Sequence, residues 1–416
     1  MKYFIIAGEA SGDLHASNLM WALSQQDKDA HFVGLGGDKM RDAGCDIRVD
    51  YRDMAYMGVI AVLANLSKIR HNFRVAHAAL LSEQPDVLIL IDYPSFNLKM
   101  AEFCRKHLPN TRIVYYIPPK VWAWKSWRVH RIARYTDEVL GIFPFEPAFY
   151  AKYGYQCKYI GNPTSEGIRR WKDFHPSECA VKDTQINIPS KDTQIDCSQD
   201  ITAYHSPAKP SIIAILPGSR PSEIRHCLPT MLAAARRVVA ELQTTSQNHQ
   251  EEEPNKTESA QYQIIVAAAP GIDDTFYSSY LKGETLTRDT YSLLSQSAAA
   301  VVNSGTATLE TALLNCPQTA VYYIACSRWL EWLIRPILFR IKYFTLVNII
   351  PQQEVIQELI ASRFTENNVA CELHRLLTDI PYRQTMLTNY RHISTILGNT
   401  TPSTSAAQEI LHLLRK

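Results

Sequence analysis

Two residues stand out for the chemistry they could do: an aspartate that ends an apolar run, and an arginine that closes a glycine–serine turn. Asp92 follows Val87–Ile91 (VLILI) and precedes Tyr93-Pro94-Ser95-Phe96-Asn97. A carboxylate at the carboxyl end of a buried strand is costly unless it is hydrogen-bonded or functional. Desolvation would raise its pKa and suit it to taking a proton from a hydroxyl. A turn-capping aspartate ahead of Tyr-Pro would use the same residues without chemistry. Arg220 closes Leu216-Pro217-Gly218-Ser219-Arg220, and Pro221-Ser222-Glu223 opens a helix behind it. A small flexible Gly-Ser turn with Ser219, backbone N–H groups, a positive helix end and a guanidinium together match an anion. Such an arginine can neutralise charge growing on a leaving diphosphate. A surface arginine paired with Glu223 is the plainer alternative, but the coincidence of turn, cap and cation favours the anion.

Two further turns follow apolar runs in the same way. Asn303-Ser304-Gly305-Thr306-Ala307-Thr308-Leu309-Glu310 reads as strand, turn and helix. Donors at Ser304, Gly305 and Thr306 could bind phosphate oxygens, and Glu310, one to two turns into the helix, could accept from ribose hydroxyls. Two phosphate-type turns in one half of the chain suggest a nucleoside diphosphate. Near the N-terminus, Gly8-Glu9-Ala10-Ser11-Gly12-Asp13 opens a helix directly after the first apolar run. Its carboxylates would repel a pyrophosphate, and it is not GxGxxG, so dinucleotide binding and NAD-dependent oxidoreduction are disfavoured. A sugar, whose hydroxyls want carboxylate acceptors, suits Glu9, Ser11 and Gly12 better. Helix capping by Ser11 or Asp13 explains the loop equally well.

These turns need a scaffold of strands and helices. Tyr3–Ala7, His31–Leu35, Val87–Ile91, Ile113–Ile117 and Val139–Ile142 are apolar runs in the first half; Ser211–Leu216, Gln263–Ala269 and Ala298–Asn303 repeat the pattern in the second. Strands alternating with helix-like stretches, such as Leu14 to Leu23, predict βαβ units and parallel sheets. A chain of 416 residues is long for one core and comfortable for two. The expected organisation is an N-terminal Rossmann-like domain at 1–165 and a polar linker or insertion at 166–210, in which KDTQI occurs twice. A second Rossmann-like domain follows at 211–395, interrupted by a polar insertion at 243–259 that reads as a solvated loop. A helix at 396–416 should pack back on the first domain or on a dimer partner. In such sheets ligands sit beyond the carboxyl ends of the strands.

Composition narrows the function classes. The formal charge is 43 − 41 = +2, which offers no general electrostatic reason to expect nucleic acid. Nine cysteines without a CxxC pair or a histidine cluster read as free thiols in a reducing compartment and argue against a metal site. The N-terminal MKYFIIAGEASGD reads as a first strand of a cytoplasmic protein rather than a signal peptide, and no apolar stretch is long enough to span a membrane. Lys120-Val121-Trp122-Ala123-Trp124-Lys125-Ser126-Trp127-Arg128 and Arg328–Phe344 mix aromatic and basic residues. The first could form a core corner, stack on sugars or meet lipid headgroups; the second fits an interfacial amphipathic segment, with core packing or a dimer contact as rivals.

The ordered motifs GEASGD, MGVIAVL (Met57–Leu63), IDYPSFN, PPKVWAWK, FPFEPAFY (Phe143–Tyr150), LPGSR, SGTATLE and NIIPQQE (Asn348–Glu354) carry a family resemblance. Outside the two polar insertions the chain resembles lipid-A-disaccharide synthases over nearly its whole length. The resemblance implies a GT-B fold, in which two Rossmann-like doubly wound α/β domains face each other across a cleft. It implies an inverting transfer with no metal and no cofactor. The donor would be UDP-2,3-diacylglucosamine and the acceptor 2,3-diacylglucosamine 1-phosphate, giving the β-1,6-linked disaccharide and UDP. By the same resemblance Asp92 and Arg220 are the catalytic pair. Ser304, Gly305, Thr306 and Glu310 form the UDP-side turn, and Asn348 is the asparagine near the nucleotide. A peripheral position on the inner face of the inner membrane and a swapped homodimer are also implied. Ala61, Ser95, Asn162 and Gln352-Gln353 depart from the family pattern, and Ser95 leaves Asp92 the only carboxylate of its loop. The alternatives are a UDP-sugar 2-epimerase of similar fold, which needs no acceptor, and a binding protein that turns nothing over.

Overall fold

The computed structural model describes residues 1–54, 66–122, 126–176, 211–252, 262–324 and 342–415. MGVIAVL, Trp124 and Lys125, the KDTQI repeats and most of Arg328–Phe344 lie outside the described residues. The chain divides into two compact units: Met1–Glu166 with Leu397–Lys416, and Gly167–Ile396.

The first unit is a seven-stranded parallel sheet. Its strands are β1 (Lys2–Ala7), β2 (His31–Gly36), β3 (Asp46–Asp50), β4 (Val87–Ile91), β5 (Arg112–Tyr116), β6 (Glu138–Gly141) and β7 (Lys158–Tyr159), in the order β3-β2-β1-β4-β5-β6-β7. Side chains alternate across a strand, so each apolar run feeds two cores. Phe4, Ile6, Leu88, Leu90, Ile113 and Tyr115 face one layer. Tyr3, Ile5, Val87, Ile89, Val114 and Tyr116 face the other, where they meet Ala16, Leu19, Met20 and Leu23 of the helix Ala10–Gln26. The last helix of the chain, Pro402–Leu414, completes that second layer with Ala406, Ala407, Ile410 and Leu411. Lys158 Nζ fastens it by pairing with Glu409 at 2.6 Å and Glu138 at 3.0 Å.

The second unit is a six-stranded parallel sheet. It contains β8 (Ser211–Leu216), β9 (Tyr262–Ala267), β10 (Thr285–Thr287), β11 (Ser297–Asn303), β12 (Gln318–Tyr322) and β13 (Glu358–Ile360), in the order β10-β9-β8-β11-β12-β13. Ile213, Ile215, Val266, Val301 and Val302 are buried in it. The eight expected apolar runs all fall on strands of these sheets. The polar stretch expected to begin a loop at 243 continues the helix Pro221–Glu252 instead. Gln, Glu and Thr are compatible with a helix, and no proline interrupts them before Pro254.

In each unit the chain builds outward from its first strand, then returns to build on that strand's other side. The reversal falls between β1 and β4 in one unit and between β8 and β11 in the other. Doubly wound sheets bind ligands at the carboxyl ends of such a pair. The four loops in question begin at Gly8, Asp92, Pro217 and Ser304.

Candidate functional site

At the first switch point, Asp92 occupies a backbone that few residues tolerate. Its φ is +41°, that of Tyr93 is +42° and that of the facing Ile117 is +60°. The neighbours hold this left-handed turn in place. Asp92 N donates to Ile117 O at 3.0 Å. Asp92 O accepts from Tyr115 Oη at 2.7 Å and from Asn97 Nδ2 at 2.8 Å. Strained, over-determined residues of this kind cluster at functional sites. The Tyr93 ring folds over Gly8, where a Cβ would lie 2.3 Å from Tyr93 Cγ, and Tyr93 Oη donates to Met54 O at 2.6 Å. Glycine is therefore required at position 8 by the ring that covers it.

The Asp92 carboxyl is open to solvent on one side and crowded by protein on the others. That crowding strips water from it and, with the carboxylate of Glu9, pushes its pKa up to about 6, against the pull of Lys120. Asp92 thus stands alone in its own loop but has a carboxylate neighbour across the switch point. Glu9 is the N-cap position of the helix Ala10–Gln26, makes no side-chain cap there, and is half-buried.

The rest of that loop has other work. Ser11 is exposed in the first turn, whereas Gly12 is buried against Ala7 and Ile91 and packs the helix onto the sheet. Gly12, expected among the residues that touch substrate, here serves the packing. Asp13, 2% exposed, does not cap its own helix. Its carboxylate accepts from Gly37 N at 2.7 Å, Lys39 N at 3.0 Å and Met40 N at 3.1 Å, the start of the helix Asp38–Asp42. It is spent on the fold.

A third carboxyl at this end of the sheet escaped the sequence reading. Glu146 is 1% exposed and accepts from Ile142 N at 2.8 Å, Phe143 N at 2.9 Å and Trp122 Nε1 at 3.3 Å. Burial pushes its pKa up to about 7 in spite of these donors and Lys120. It anchors Trp122 among Phe143 and Phe145, whose centroids lie 5.9 and 5.0 Å from the indole. In the sequence it stands inside FPFEPAFY with no feature that marks it out.

At the second switch point the loops after β8 and β11 meet. Gly218 has φ +120°, and a Cβ there would lie 2.6 Å from both Asn303 Nδ2 and Glu223 Oε2. Ser219 and Arg220 are exposed. Asn303, buried at the end of β11, lies under the first turn and leads into the second, so it joins the two; only its place in the motif could have flagged it. Ser304 N is committed to Val321 O at 2.8 Å. The helix Thr306–Leu313 starts immediately after Gly305, and the first N–H groups of a helix lack intrahelical partners. Gly305 and Thr306 are exposed, and a Cβ on Gly305 would meet nothing within 4 Å. Glu310 accepts from Tyr291 Oη at 3.4 Å, and burial holds its carboxyl above the usual range.

Asn348 is placed differently from the expectation. It is 0% exposed and its amide is fully used. Nδ2 donates to Ile356 O and Glu358 Oε1, each at 2.9 Å, while Oδ1 accepts from Val355 N at 2.7 Å and Ile356 N at 3.0 Å. Its side chain shapes the 345–358 segment and has no donor left for a nucleotide.

Comparison with known proteins gives the family and the fold. A family model described as lipid-A-disaccharide synthetase matches residues 3–410. A lipid-A-disaccharide synthase of Koribacter versatilis is 32% identical, covering 98% of this chain and 96% of its own. One of Trichlorobacter lovleyi is 31% identical, covering 95% and 93%. Among solved structures, a Staphylococcus aureus MnaA–UDP complex aligns with a TM-score of 0.60 at 11% identity, covering 100% of this chain and 97% of that one. A calicheamicin glycosyltransferase aligns at 0.50 and 12%, covering 100% and 98%. These structural likenesses show a GT-B-like fold and nothing finer.

Proposed function

This chain belongs to the lipid-A-disaccharide synthase family, and we propose that its two switch points divide the reaction, one handling the acceptor and the other the donor. The activity is that of a lipid-A-disaccharide synthase, a glycosyltransferase of lipid A biosynthesis. In the proposed step Asp92 takes the proton of the 6-hydroxyl of 2,3-diacylglucosamine 1-phosphate. The oxygen attacks the anomeric carbon of UDP-2,3-diacylglucosamine from the face opposite UDP. The bond to the diphosphate breaks with inversion, and UDP leaves carrying the electron pair. Arg220, Ser219 and the turn Ser304–Thr306 stabilise the charge that grows on it. Glu9 and Ser11 bind sugar hydroxyls, and Glu310 accepts from the ribose.

The observation that carries this reading is Asp92, whose backbone is locked at a switch point and whose carboxyl has its pKa raised to about 6. A base with a pKa near the working pH balances being deprotonated against proton affinity. Positioned proton transfer contributes on the order of 10²–10⁴-fold. Asp92→Asn should therefore lose about that factor in disaccharide formation with UDP binding retained. Arg220→Ala should weaken UDP binding and transfer together. Full activity in Asp92→Asn would remove the base assignment. Conversion of the UDP-sugar to its 2-epimer without acceptor, giving no disaccharide, would point instead to an epimerase.

No helix among the described residues is long and apolar enough to cross a membrane. Contact with a membrane surface is supported by Trp127, 56% exposed, beside Arg128 at the head of the basic helix Arg128–Tyr135. A swapped homodimer would exchange Leu397–Lys416, which here completes the first unit of its own chain. Sedimentation of the purified protein tests it.

A further inference from the structure

The turn after β8 already holds an anion, and it is one of the protein's own. Glu223 Oε2 accepts from Ser219 N at 3.0 Å and from Arg220 N at 3.3 Å, and Oε1 lies 3.5 Å from Arg220 Nη1. The same Oε2 sits over Gly218, 2.6 Å from where a Cβ would be. A third-position glutamate often reaches back to the N-cap N–H of its helix. A cap of that kind needs only the Arg220 N–H. Here the carboxylate also takes the N–H before it, the space above the glycine, and the guanidinium. Those are the groups that the proposed diphosphate site requires.

We infer that Glu223 is a placeholder for a diphosphate oxygen and sets donor affinity by having to be displaced. This rests on the reading of the Arg220 turn as the diphosphate site. Two anionic oxygens cannot share one turn, because like charges at contact distance repel and each needs the same N–H groups. The donor therefore exchanges one anion for another. The empty turn keeps its shape and its arginine stays oriented, while UDP leaves readily because Glu223 returns to its place. The apparent affinity for UDP is the intrinsic affinity multiplied by the fraction of time the carboxylate is away.

UDP titration by calorimetry on the full chain, with wild type, Glu223→Gln, Glu223→Asp and Arg220→Ala side by side, tests this. Glu223→Gln keeps the shape and removes the charge; it should bind UDP roughly tenfold tighter and release it more slowly, since hydrogen bonds to a charged acceptor are about twice as strong as neutral ones. Glu223→Asp keeps the charge but shortens the reach, and should also bind tighter, though less so. Equal or weaker UDP binding by both, with circular dichroism unchanged, overturns the placeholder role. Wild-type UDP binding by Arg220→Ala would instead overturn the site itself, so the two failures are distinguishable.

Discussion

If Asp92 is the base, the acidic limb of the rate profile should move when its neighbours are changed, and in opposite directions. Its pKa stands at about 6 against an ordinary 3.8; loss of water is the larger cause, Glu9 the smaller, and Lys120 opposes both. Only the deprotonated form accepts the hydroxyl's proton, so kcat/KM should rise with pH through a midpoint near 6. Glu9→Gln removes the smaller upward push and should lower that midpoint by less than about one pH unit, or less than ~1.4 kcal/mol of proton affinity. Lys120→Met removes the downward pull and should raise it. UDP release, measured with both acylated glucosamines in detergent from pH 4.5 to 8.5, gives the three curves. Glu9 could also cost rate by losing a substrate contact, but the midpoint reports charge, not contact. A second readout is stability. A carboxyl whose folded pKa is raised holds its proton more tightly when folded, so it favours folding most at low pH and loses that contribution as pH rises from about 4 towards 6. Asp92→Asn should therefore melt above wild type at pH 8 while being the slower enzyme. Midpoints that stay put in both Glu9→Gln and Lys120→Met would refute the assignment of the limb to Asp92.

Three other substitutions separate fold from function. Gly305→Ala places a methyl where nothing lies within 4 Å, and its φ is extended, so the melting temperature should stay within about one degree while UDP binding weakens because the methyl enters the ligand's space. Asn348→Ala removes four internal hydrogen bonds, and should cost about 2–4 kcal/mol of stability in a urea melt, with UDP affinity per folded molecule unchanged. A specific loss of UDP binding there would return the side chain to the nucleotide. Glu146→Ala leaves the Ile142, Phe143 and Trp122 N–H donors without their acceptor, and should lower the melting temperature and shift the Trp fluorescence to the red as the indole loosens.

Strands were legible where burial on both faces makes them apolar throughout, as in Val87–Ile91 and Ser211–Leu216. Asp46–Asp50 escaped because an edge strand with one wet face reads DIRVD. Thr285–Thr287 and Glu358–Ile360 are only three residues long, too short for a period to show. The place of Asp92 was legible for a related reason, since a charge directly after five apolar residues marks the carboxyl end of a buried strand. Its electrostatic neighbour was not, because Glu9 lies 83 positions away and is brought close only by the pairing of β1 with β4. Asn348 shows the opposite limit: a motif marks a polar residue as important without saying whether its hydrogen bonds face a ligand or its own backbone, and here its amide meets Ile356, Glu358 and Val355.

The two switch points also show what sequence contributes after topology has done its part. Both place a glycine-bearing loop at the head of a helix beside the loop of the strand across the reversal, and both helix starts favour anions. The residues then decide what each place does. Glu9 beside Asp92 adds negative charge where a helix start would otherwise draw a phosphate; on the proposed reading this keeps the Asp92 carboxyl basic and leaves the position to hydroxyls. Arg220 reinforces the helix start instead, and Glu223 occupies it until a stronger anion arrives. Exchanging the sign at either place should therefore abolish its function while leaving its sheet intact. Arg220→Glu sets two carboxylates against one turn and should expel UDP more completely than Arg220→Ala, which only removes the attraction.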